Sequence, residues 1–413
     1  MIPLTSLTPL VPLIPLIPLS FSTNESKSPV RVLAIGDPHF KKGNTRETSL
    51  MGPAIIKLAQ QLQPDFIVNL GDTQELFDNI HPRPLTESVE WMAELVKIAP
   101  LYVLIGNHDI QNNKDYFSKY HPYAALKYWP QTTVVDQCLS ITVKGQKFIL
   151  CPYVYEGLFS QALLACDLPR DQALIKRKAP VDVEQLTKQL SGVSAIFAHQ
   201  EFLGAQMGPY LSTAGDVWPE NYPYIVSGHM HEHHFPQANI HYTGTPIQHE
   251  FGSNTDKGVT LFTFHSWQQR EYVRYPLPVP LKKILHLSYS QVPNYQLPAT
   301  DCHYKIVISG TASELAVTMK HANVKAWRRL GHRVGEKTLV TTVNVDKILV
   351  TKKSFSATLA DRVASHPRLL GVYEETLGRY SICGIPPEIT TLVVIEGRYS
   401  VNGVSPGIII KLD

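Results

Sequence analysis

The sequence predicts an α/β fold with a second, β-rich layer. Apolar runs of strand length, such as residues 101–105, alternate with segments whose apolar residues recur at helical spacing, such as residues 85–98. This alternation is typical of a sheet with helices on both faces. Residues 133–154 instead contain consecutive strand patterns around a turn at residues 144–146, so we expect a second, more β-rich layer to pack on the first.

The other elements are predicted by the same patterns. A polar loop with Lys41, Lys42 and Arg46 follows the first strand, and the helix after it ends at Pro64 because proline cannot continue a helix. Helices are predicted at residues 54–62, 181–190, 311–319 and 356–377. Strands are predicted at residues 32–35, 66–70, 195–198, 224–227, 304–310, 323–330, 391–397 and 407–411, and strand and turn patterns dominate residues 240–264.

The chain is too long for one hydrophobic core, so several domains are expected. Three prolines at 276, 278 and 280 mark a linker, and a small βαβ-type domain follows it. The predicted divisions are a proline-rich leader and linker at 1–29, an α/β domain at 30–275, a smaller α+β domain at 285–350, and a C-terminal extension at 351–413.

Composition narrows the class of protein. A formal net charge of +3 is too small to indicate nucleic-acid binding by itself. The five cysteines are scattered without a CxxC pair, which argues against a cysteine zinc site and for a reducing compartment. Residues 1–20 are apolar, but the prolines among them argue against a membrane-spanning helix. We therefore expect a cytoplasmic protein, or one in the host cytoplasm if the source is a virus.

Five predicted strands end in side chains that can bind metal ions. The carboxyl ends of strands in open α/β sheets are where ligands bind. Asp, Asn and His without Cys suit hard to borderline cations such as Mn²⁺, Fe²⁺ and Zn²⁺. Taken singly, such a His is more often a core residue and such an Asp a helix N-cap, so the prediction depends on the whole set. Its members are Asp37, His39, Asp72, Asn107, His108, Asp109, His199, His229 and His231.

Four further histidines follow the last of these ligand candidates. They are His233, His234, His241 and His249. We expect them to be loop and surface residues and not metal ligands.

The order of these motifs, D-x-H, G-D, G-N-H-D, a lone His and G-H-x-H, resembles that of the calcineurin-type metallophosphoesterase superfamily over about residues 30–265. The resemblance implies a two-sheet α/β/β/α sandwich and two divalent ions, Mn²⁺ in the first place, with Fe²⁺, Zn²⁺ or Mg²⁺ as alternatives. It implies that one ion is held by Asp37, His39, Asp72 and His231, and the other by Asp72, Asn107, His199 and His229. It also implies that His108 contacts phosphate as the general acid and that Asp109 orients it.

A second resemblance concerns the segment after G-H-x-H. Residues 242–248, 251–252 and 257–259, together with the H-x(4)-G-A pattern that begins at His199, are similar to SbcD-type DNA repair nucleases. Thr245 and Ser253 depart from that family's usual Ser and Glu. The resemblance implies a DNA exo/endonuclease whose phosphoesterase domain is residues 30–275. It also implies a DNA-capping domain at 285–350, with its βαβ-like piece at 304–330, and an SbcC-type, SMC-like ATPase as the partner bound by residues 351–413. A homodimer is left open.

The densest basic and aromatic cluster of the chain lies in the expected capping domain. Such side chains contact phosphate backbones, and an ordinary solvated face explains them equally well. The cluster consists of Lys320, Lys325, Trp327, Arg328, Arg329 and Arg333.

Three functions remain open from the sequence. The first is a metal-dependent nuclease in DNA repair or recombination. The second is a phosphatase or phosphodiesterase that acts on a phosphoester other than DNA. The third is a non-catalytic binding subunit, which the complete ligand set and His108 argue against.

Overall fold

The computed structural model describes residues 28–75, 79–112, 116–173, 180–208, 210–298, 301–339, 392–395 and 398–401. The chain divides into two compact units, Met1–Leu339 and Val340–Asp413. The leader at 1–27, the helix predicted at 356–377 and the strand predicted at 407–411 lie outside the described residues. The domain boundaries inferred from the sequence stay predictions.

Strands and helices alternate at the start of the first unit, and strands predominate after them. In chain order, this unit contains β1 (Val30–Ile35), α1 (Thr45–Leu62), β2 (Phe66–Asn69), α2 (Pro82–Leu95), β3 (Leu101–Leu104), β4 (Thr132–Val135), β5 (Leu139–Val143), β6 (Gln146–Cys151), α3 (Phe159–Leu164), α4 (Val183–Leu190), β7 (Val193–Ala198), β8 (Gln206–Met207), β9 (Tyr210–Leu211), β10 (Ile225–Ser227), β11 (His234–Gln237), β12 (Ile240–Tyr242), β13 (Val259–Phe264), β14 (Arg270–Tyr275), β15 (Leu281–Ser288), β16 (Cys302–Gly310), α5 (Ala312–Thr318), α6 (Ala322–Arg329) and β17 (Arg333–Thr338). In the second unit, β18 (Leu392–Ile395) and β19 (Arg398–Val401) pair antiparallel.

Two six-stranded sheets form the body of the first unit, in the orders β14-β13-β1-β2-β3-β4 and β11-β12-β10-β7-β6-β5. Their facing sides share one core, to which Phe66 contributes from the first sheet and Phe148 and Phe197 from the second. Helices α1 and α2 pack on the outer side of the first sheet, and α3 and α4 on the outer side of the second. The predicted α/β/β/α sandwich is therefore confirmed.

Strand β1 explains why the sequence shows continuous apolar runs. Alternate residues of a strand point to opposite faces. Val32 and Ala34 face the second sheet, whereas Leu33 and Ile35 face the helices. Because both faces are buried over residues 32–35, these four positions are all apolar.

Three parallel strands, in the order β15-β16-β17, form a separate small sheet, and α5 and α6 contribute to its core. The strand predicted at residues 323–330 is wrong, because these residues form α6. Val324 and Trp327 are buried three positions apart, which is the spacing of one helical face. Helix α1 also begins at Thr45, earlier than predicted, with Pro53 inside it. Among the described residues, no helix is both long and apolar enough to cross a membrane.

Candidate metal centre

The carboxyl ends of five parallel strands meet at one edge of the sandwich. In the first sheet, β1 leads to Asp37 and His39, β2 to Asp72, and β3 to Asn107. In the second sheet, β7 leads to His199, and β10 to His229 and His231. The metal-ligand candidates of the sequence are thereby brought together from both sheets.

The candidates form two clusters. The first consists of Asp37, His39 and His231, and the second of Asp72, His199 and His229; within each, the potential ligand atoms all lie within 4.8 Å of one another. In the first cluster, Nε2 of His39 lies 3.0 Å from Nε2 of His231. In the second cluster, Nε2 of His199 lies 3.1 Å from Oδ1 of Asn107 and 3.3 Å from Nδ1 of His229. Ligand atoms bound about 2.1 Å from one ion are separated by about 3–3.4 Å, so both clusters have the spacing of a coordination sphere.

The hydrogen bonds of His199 indicate that a cation fits the second cluster. Its Nδ1 lies 2.7 Å from the carbonyl oxygen of Leu70 and therefore carries the proton of the neutral ring. Its Nε2 then presents a lone pair to Oδ1 of Asn107 and Oδ2 of Asp72, which are also acceptors. Acceptors that converge without a hydrogen between them are stabilised by a metal ion.

Asp72 lies between the two clusters. Its Oδ2 is 3.2 Å from Nε2 of His199 in one cluster and 3.8 Å from Nε2 of His39 in the other. Its Oδ1 accepts a hydrogen bond from the backbone N–H of His108 at 2.8 Å. A single oxygen of Asp72 is thus placed to serve two ions, while the other holds the turn that carries His108.

Electrostatics also favour a bound cation. Burial raises the pKa of Asp37 to about 8, and its Oδ2 has no hydrogen-bond partner among the described residues. Burial opposes ionisation of Asp72 as well, but the charge and hydrogen bond of His199 hold the pKa of Asp72 well below its usual range. The same carboxylate raises the pKa of His199 to about 9, although burial alone would lower it. Without a cation, a second proton on Nε2 of His199 balances this buried charge; in the neutral ring, a cation would take the place of that proton.

Four of the candidate ligands have strained backbones. Positive φ is uncommon for residues other than glycine and costs about 1–3 kcal/mol each. Such strain persists only where surrounding contacts enforce it, and it clusters at functional sites. The residues are Asp37 (φ 43°), His39 (φ 44°), Asp72 (φ 48°) and His229 (φ 77°).

Glycines allow the strand ends to approach one another. A Cβ at Gly106 would lie 2.1 Å from Oδ1 of Asp72, and one at Gly71 would lie 2.6 Å from Nδ1 of His199. Gly71 also has a φ of +102°, which disfavours any side chain. Each glycine therefore leaves the space that a ligand from a neighbouring strand occupies.

His108 and Asp109 have different surroundings. The side chain of His108 is 23% exposed, and its Nε2 lies 3.9 Å from Oδ2 of Asp72. The carboxylate of Asp109 is buried and accepts hydrogen bonds from the backbone amides of Thr73, Gln74 and Gly106. These contacts fasten the turn that carries Asp72 to the turn that carries Asn107. The role of Asp109 in orienting His108 stays a prediction.

Comparison with known proteins shows the family to which the chain belongs. Residues 30–233 match the family model described as calcineurin-like phosphoesterase. The chain is 33% identical over 316 residues to the protein named "Putative phosphoesterase 078R" of Invertebrate iridescent virus 3, an alignment that covers 76% of this chain and 86% of the viral protein. The chain belongs to the calcineurin-like phosphoesterase family.

A second relative of this phosphoesterase is named "Putative phosphoesterase 244L" of Invertebrate iridescent virus 6. The two chains are 32% identical over 302 residues, which covers 70% of this chain and 98% of the relative. Among solved structures, that of purple acid phosphatase PPD1 from yellow lupin (Lupinus luteus) seeds aligns with 60% of this chain and 52% of its own, at 13% identity and a TM-score of 0.35. That structural similarity is too low to carry an argument.

The structure corrects the expectation that the extra histidines of this phosphoesterase lie at the surface. His241 is fully buried on β12, where its Nδ1 lies 3.0 Å from the hydroxyl of Tyr224. His249 is buried against the first ligand cluster, with its ring centroid 4.9 Å from that of His39. Only His233 and His234 are partly exposed. None of the four belongs to either ligand cluster.

Sequence reasoning also missed Glu201. Its carboxylate lies 3.9 Å from Nε2 of His229, whose Nδ1 faces Asn107. A carboxylate on the outer nitrogen of a ligand histidine fixes which nitrogen faces the metal. The one signal for this role in the sequence is the position of Glu201, two residues after His199.

The residues of the predicted DNA-contact cluster differ in their exposure to solvent. Trp327 is a core residue of the small domain, 4% exposed, so the prediction that it contacts DNA is wrong. The basic side chains of the cluster remain on the surface: Lys320, Lys325, Arg328, Arg329 and Arg333 are exposed.

Proposed function

We propose that this phosphoesterase is a metal-dependent DNA exo/endonuclease that acts in DNA repair or recombination. The observation that carries the proposal is the position of the exposed basic residues next to the small sheet β15-β16-β17. Arg333 Nη2 lies 3.4 Å from the carbonyl oxygen of Gly43, and Arg46 Nη1 lies 3.3 Å from that of Leu330. Residues 43 and 46 belong to the segment that follows Asp37 and His39, so cationic side chains lie beside the ligand-bearing turn. A polyanion bound there would reach the metal centre.

The segment that resembles the SbcD-type nucleases supports the same proposal. Lys257 Nζ donates a hydrogen bond to the carbonyl oxygen of His231 at 2.6 Å, beneath the first cluster. Gln248 Oε1 accepts from the backbone N–H of Lys282 at 2.7 Å, at the start of the small sheet. The residues that carry the resemblance thus connect the metal centre to the domain proposed to cover DNA.

The ligand residues and His108 have different roles in the proposed reaction. Two divalent cations, proposed to be Mn²⁺, supply the Lewis acidity that activates water and neutralises charge on the phosphoryl oxygens. Asp72 would hold both ions, and Asn107 would add an oxygen ligand without adding charge. His108 gives a proton from Nε2 to the leaving oxygen, as a general acid within reach of the centre.

The proposal includes a partner. By the resemblance to SbcD-type nucleases, the region beyond residue 350 would dock on an SbcC-type ATPase. Residues 351–391 lie outside the described part of the chain, so this assignment depends on the sequence alone.

A comparison of three substrates tests the proposed function. The purified protein is incubated in Mn²⁺ with linear duplex DNA, plasmid DNA and p-nitrophenyl phosphate, with EDTA and the His108→Ala variant as controls. We expect DNA to be degraded in Mn²⁺, and neither control to show comparable degradation. Hydrolysis of p-nitrophenyl phosphate with intact DNA would contradict the proposal and favour a phosphatase or phosphodiesterase acting on another phosphoester.

A further inference from the structure

Two side chains outside the ligand clusters hold the strained turn between Asp37 and His39. Nε2 of His249 lies 2.8 Å from the carbonyl oxygen of Asp37, and Nδ2 of Asn44 donates to the carbonyl oxygen of His39 at 2.9 Å. Nδ2 of Asn44 also lies 3.4 Å from Nδ1 of His249. Because an amide nitrogen can only donate, Nδ1 of His249 accepts and Nε2 donates. The backbone carbonyls of Asp37 and His39 are therefore each held by a hydrogen bond from this side-chain pair.

The ring of His249 also packs against the ligand rings themselves. Its centroid lies 4.9 Å from that of His39 and 5.6 Å from that of His231, both in edge-on contact. The His249 side chain is buried, so this packing restricts rotation of the two imidazoles. His249 thus contacts all three residues of the first cluster, through the carbonyl of Asp37 and the rings of His39 and His231.

The backbone at His249 is in turn held by the small sheet. Lys282, at the start of β15, donates from Nζ to the carbonyl oxygen of His249 at 2.9 Å. Its backbone N–H donates to the side chain of Gln248. Lys282 is 4% exposed, so these bonds are shielded from water.

Lys282 is anchored by a buried carboxylate of the sandwich. Its Nζ lies 3.6 Å from Oε1 of Glu47 on α1, and Nδ1 of His303 on β16 lies 2.8 Å from the same oxygen. Phe251 covers the group, with its ring 5.1 Å from His303 and 5.8 Å from Lys282 Nζ. Burying such charges costs free energy that a well-packed apolar cluster would not. A role in positioning would offset that cost.

From these contacts we infer that His249 is a positioning residue for the ion bound by Asp37, His39 and His231, and that Lys282 couples His249 to the sheet β15-β16-β17. The inference depends on the metal centre of the proposed function. Binding of this ion would depend on the small sheet β15-β16-β17. Binding of the ion near Asn107 and His199 would not.

Manganese titration of the full chain tests this assignment, with both affinities measured by calorimetry and electron paramagnetic resonance. His249→Phe keeps a planar ring but removes the donor to Asp37. It should weaken one of the two ions about 10–100-fold, as loss of an outer-sphere partner does, and leave the other unchanged. His249→Gln should recover most of the affinity because its amide can still donate.

Lys282→Met tests the coupling to the small sheet. It should weaken the same ion as His249→Phe does, whereas Lys283→Met, an exposed neighbour on β15, should not. Circular dichroism and thermal melting show whether each variant is folded, and the glutamine and methionine variants keep the test decisive should His249→Phe unfold.

The remaining outcomes distinguish the metal centre, the role of His249 and the coupling through Lys282. A wild-type chain that binds no ion would overturn the proposed metal centre itself. A wild-type chain with two ions and a folded His249→Phe variant that binds both equally well, or loses both together, would overturn only the inference on His249. Unchanged binding in Lys282→Met would overturn the coupling.

Discussion

One carboxylate oxygen of Asp72 faces His199, and the other accepts the backbone N–H of His108. Oδ2 lies 3.2 Å from Nε2 of His199, and Oδ1 lies 2.8 Å from the amide nitrogen of His108. The group proposed to share two ions therefore also sets the position of the proposed general acid. Any shift of Asp72 would displace both parts of the centre together.

His108 should act in proton transfer and not in metal binding. His108→Ala leaves the backbone amide that Asp72 accepts, so the turn and both ions should remain. Loss of a general acid typically costs about 10²–10⁴-fold in rate. Single-turnover cleavage and metal analysis of the same preparation would measure the two effects. A variant that has lost its metal would show that His108 is a ligand instead.

Arg328 and Arg329 should contribute electrostatically to DNA binding. Both are exposed on α6, and each phosphate contact contributes about one unit to the slope of log affinity against log salt. The double change to Gln should lower affinity and reduce that slope by about 1–2. The double variant Arg83→Gln/Lys97→Gln changes two exposed basic residues outside α6 and is the charge-matched control. Equal slopes in wild type and the α6 double variant would place DNA elsewhere.

Asp216 should make stability depend on pH. Burial raises the pKa of this carboxyl to about 6, against the hydrogen bonds from Gly157, Gln200 and Phe159. The folded chain therefore keeps the proton to a higher pH than the unfolded chain, so the free energy of unfolding falls as pH rises from about 4 to 6. The loss is up to about 3 kcal/mol. Urea unfolding should show this slope in wild type relative to Asp216→Asn, and parallel pH profiles would refute it.

Removal of residues 351–413 should separate catalysis from partner binding. The metal-ligand candidates all precede this region, so manganese-dependent cleavage of simple DNA substrates should persist. Stimulation by ATP in the presence of the ATPase subunit should disappear. An insoluble truncated chain, or one that binds the ATPase as wild type does, would contradict the assignment of this region.

The ligand positions were predictable because their signal is local. An apolar run followed at once by Asp, Asn or His predicts a buried strand with a polar carboxyl end, and parallel strands bring such ends together. The positive φ angles at Asp37 and Asp72 and the packing of Gly106 on Asp72 have no comparable local signal. They depend on how neighbouring strands approach one another.

The errors occurred where tertiary packing outweighs local pattern. Residues 323–330 contain Val324 and Trp327, whose residue types favour a strand, but their spacing buries both on one side of a helix. His249 gave no signal either, since its contact with Asp37 joins residues 212 positions apart. A histidine in a loop sequence is buried in this fold because the rings of His39 and His231 pack against it and Lys282 bonds its backbone carbonyl.

The most direct test of the two-ion centre is the electron paramagnetic resonance spectrum of the manganese-loaded protein. Two Mn²⁺ ions about 3.5–4 Å apart that share Oδ2 of Asp72 should give the multiline spectrum of an exchange-coupled pair. Asp72→Asn keeps an oxygen to accept the N–H of His108 but removes the shared charge, so the coupled spectrum and DNA cleavage should both be lost. A wild-type spectrum of isolated Mn²⁺ alone, or wild-type cleavage by Asp72→Asn, would contradict the account.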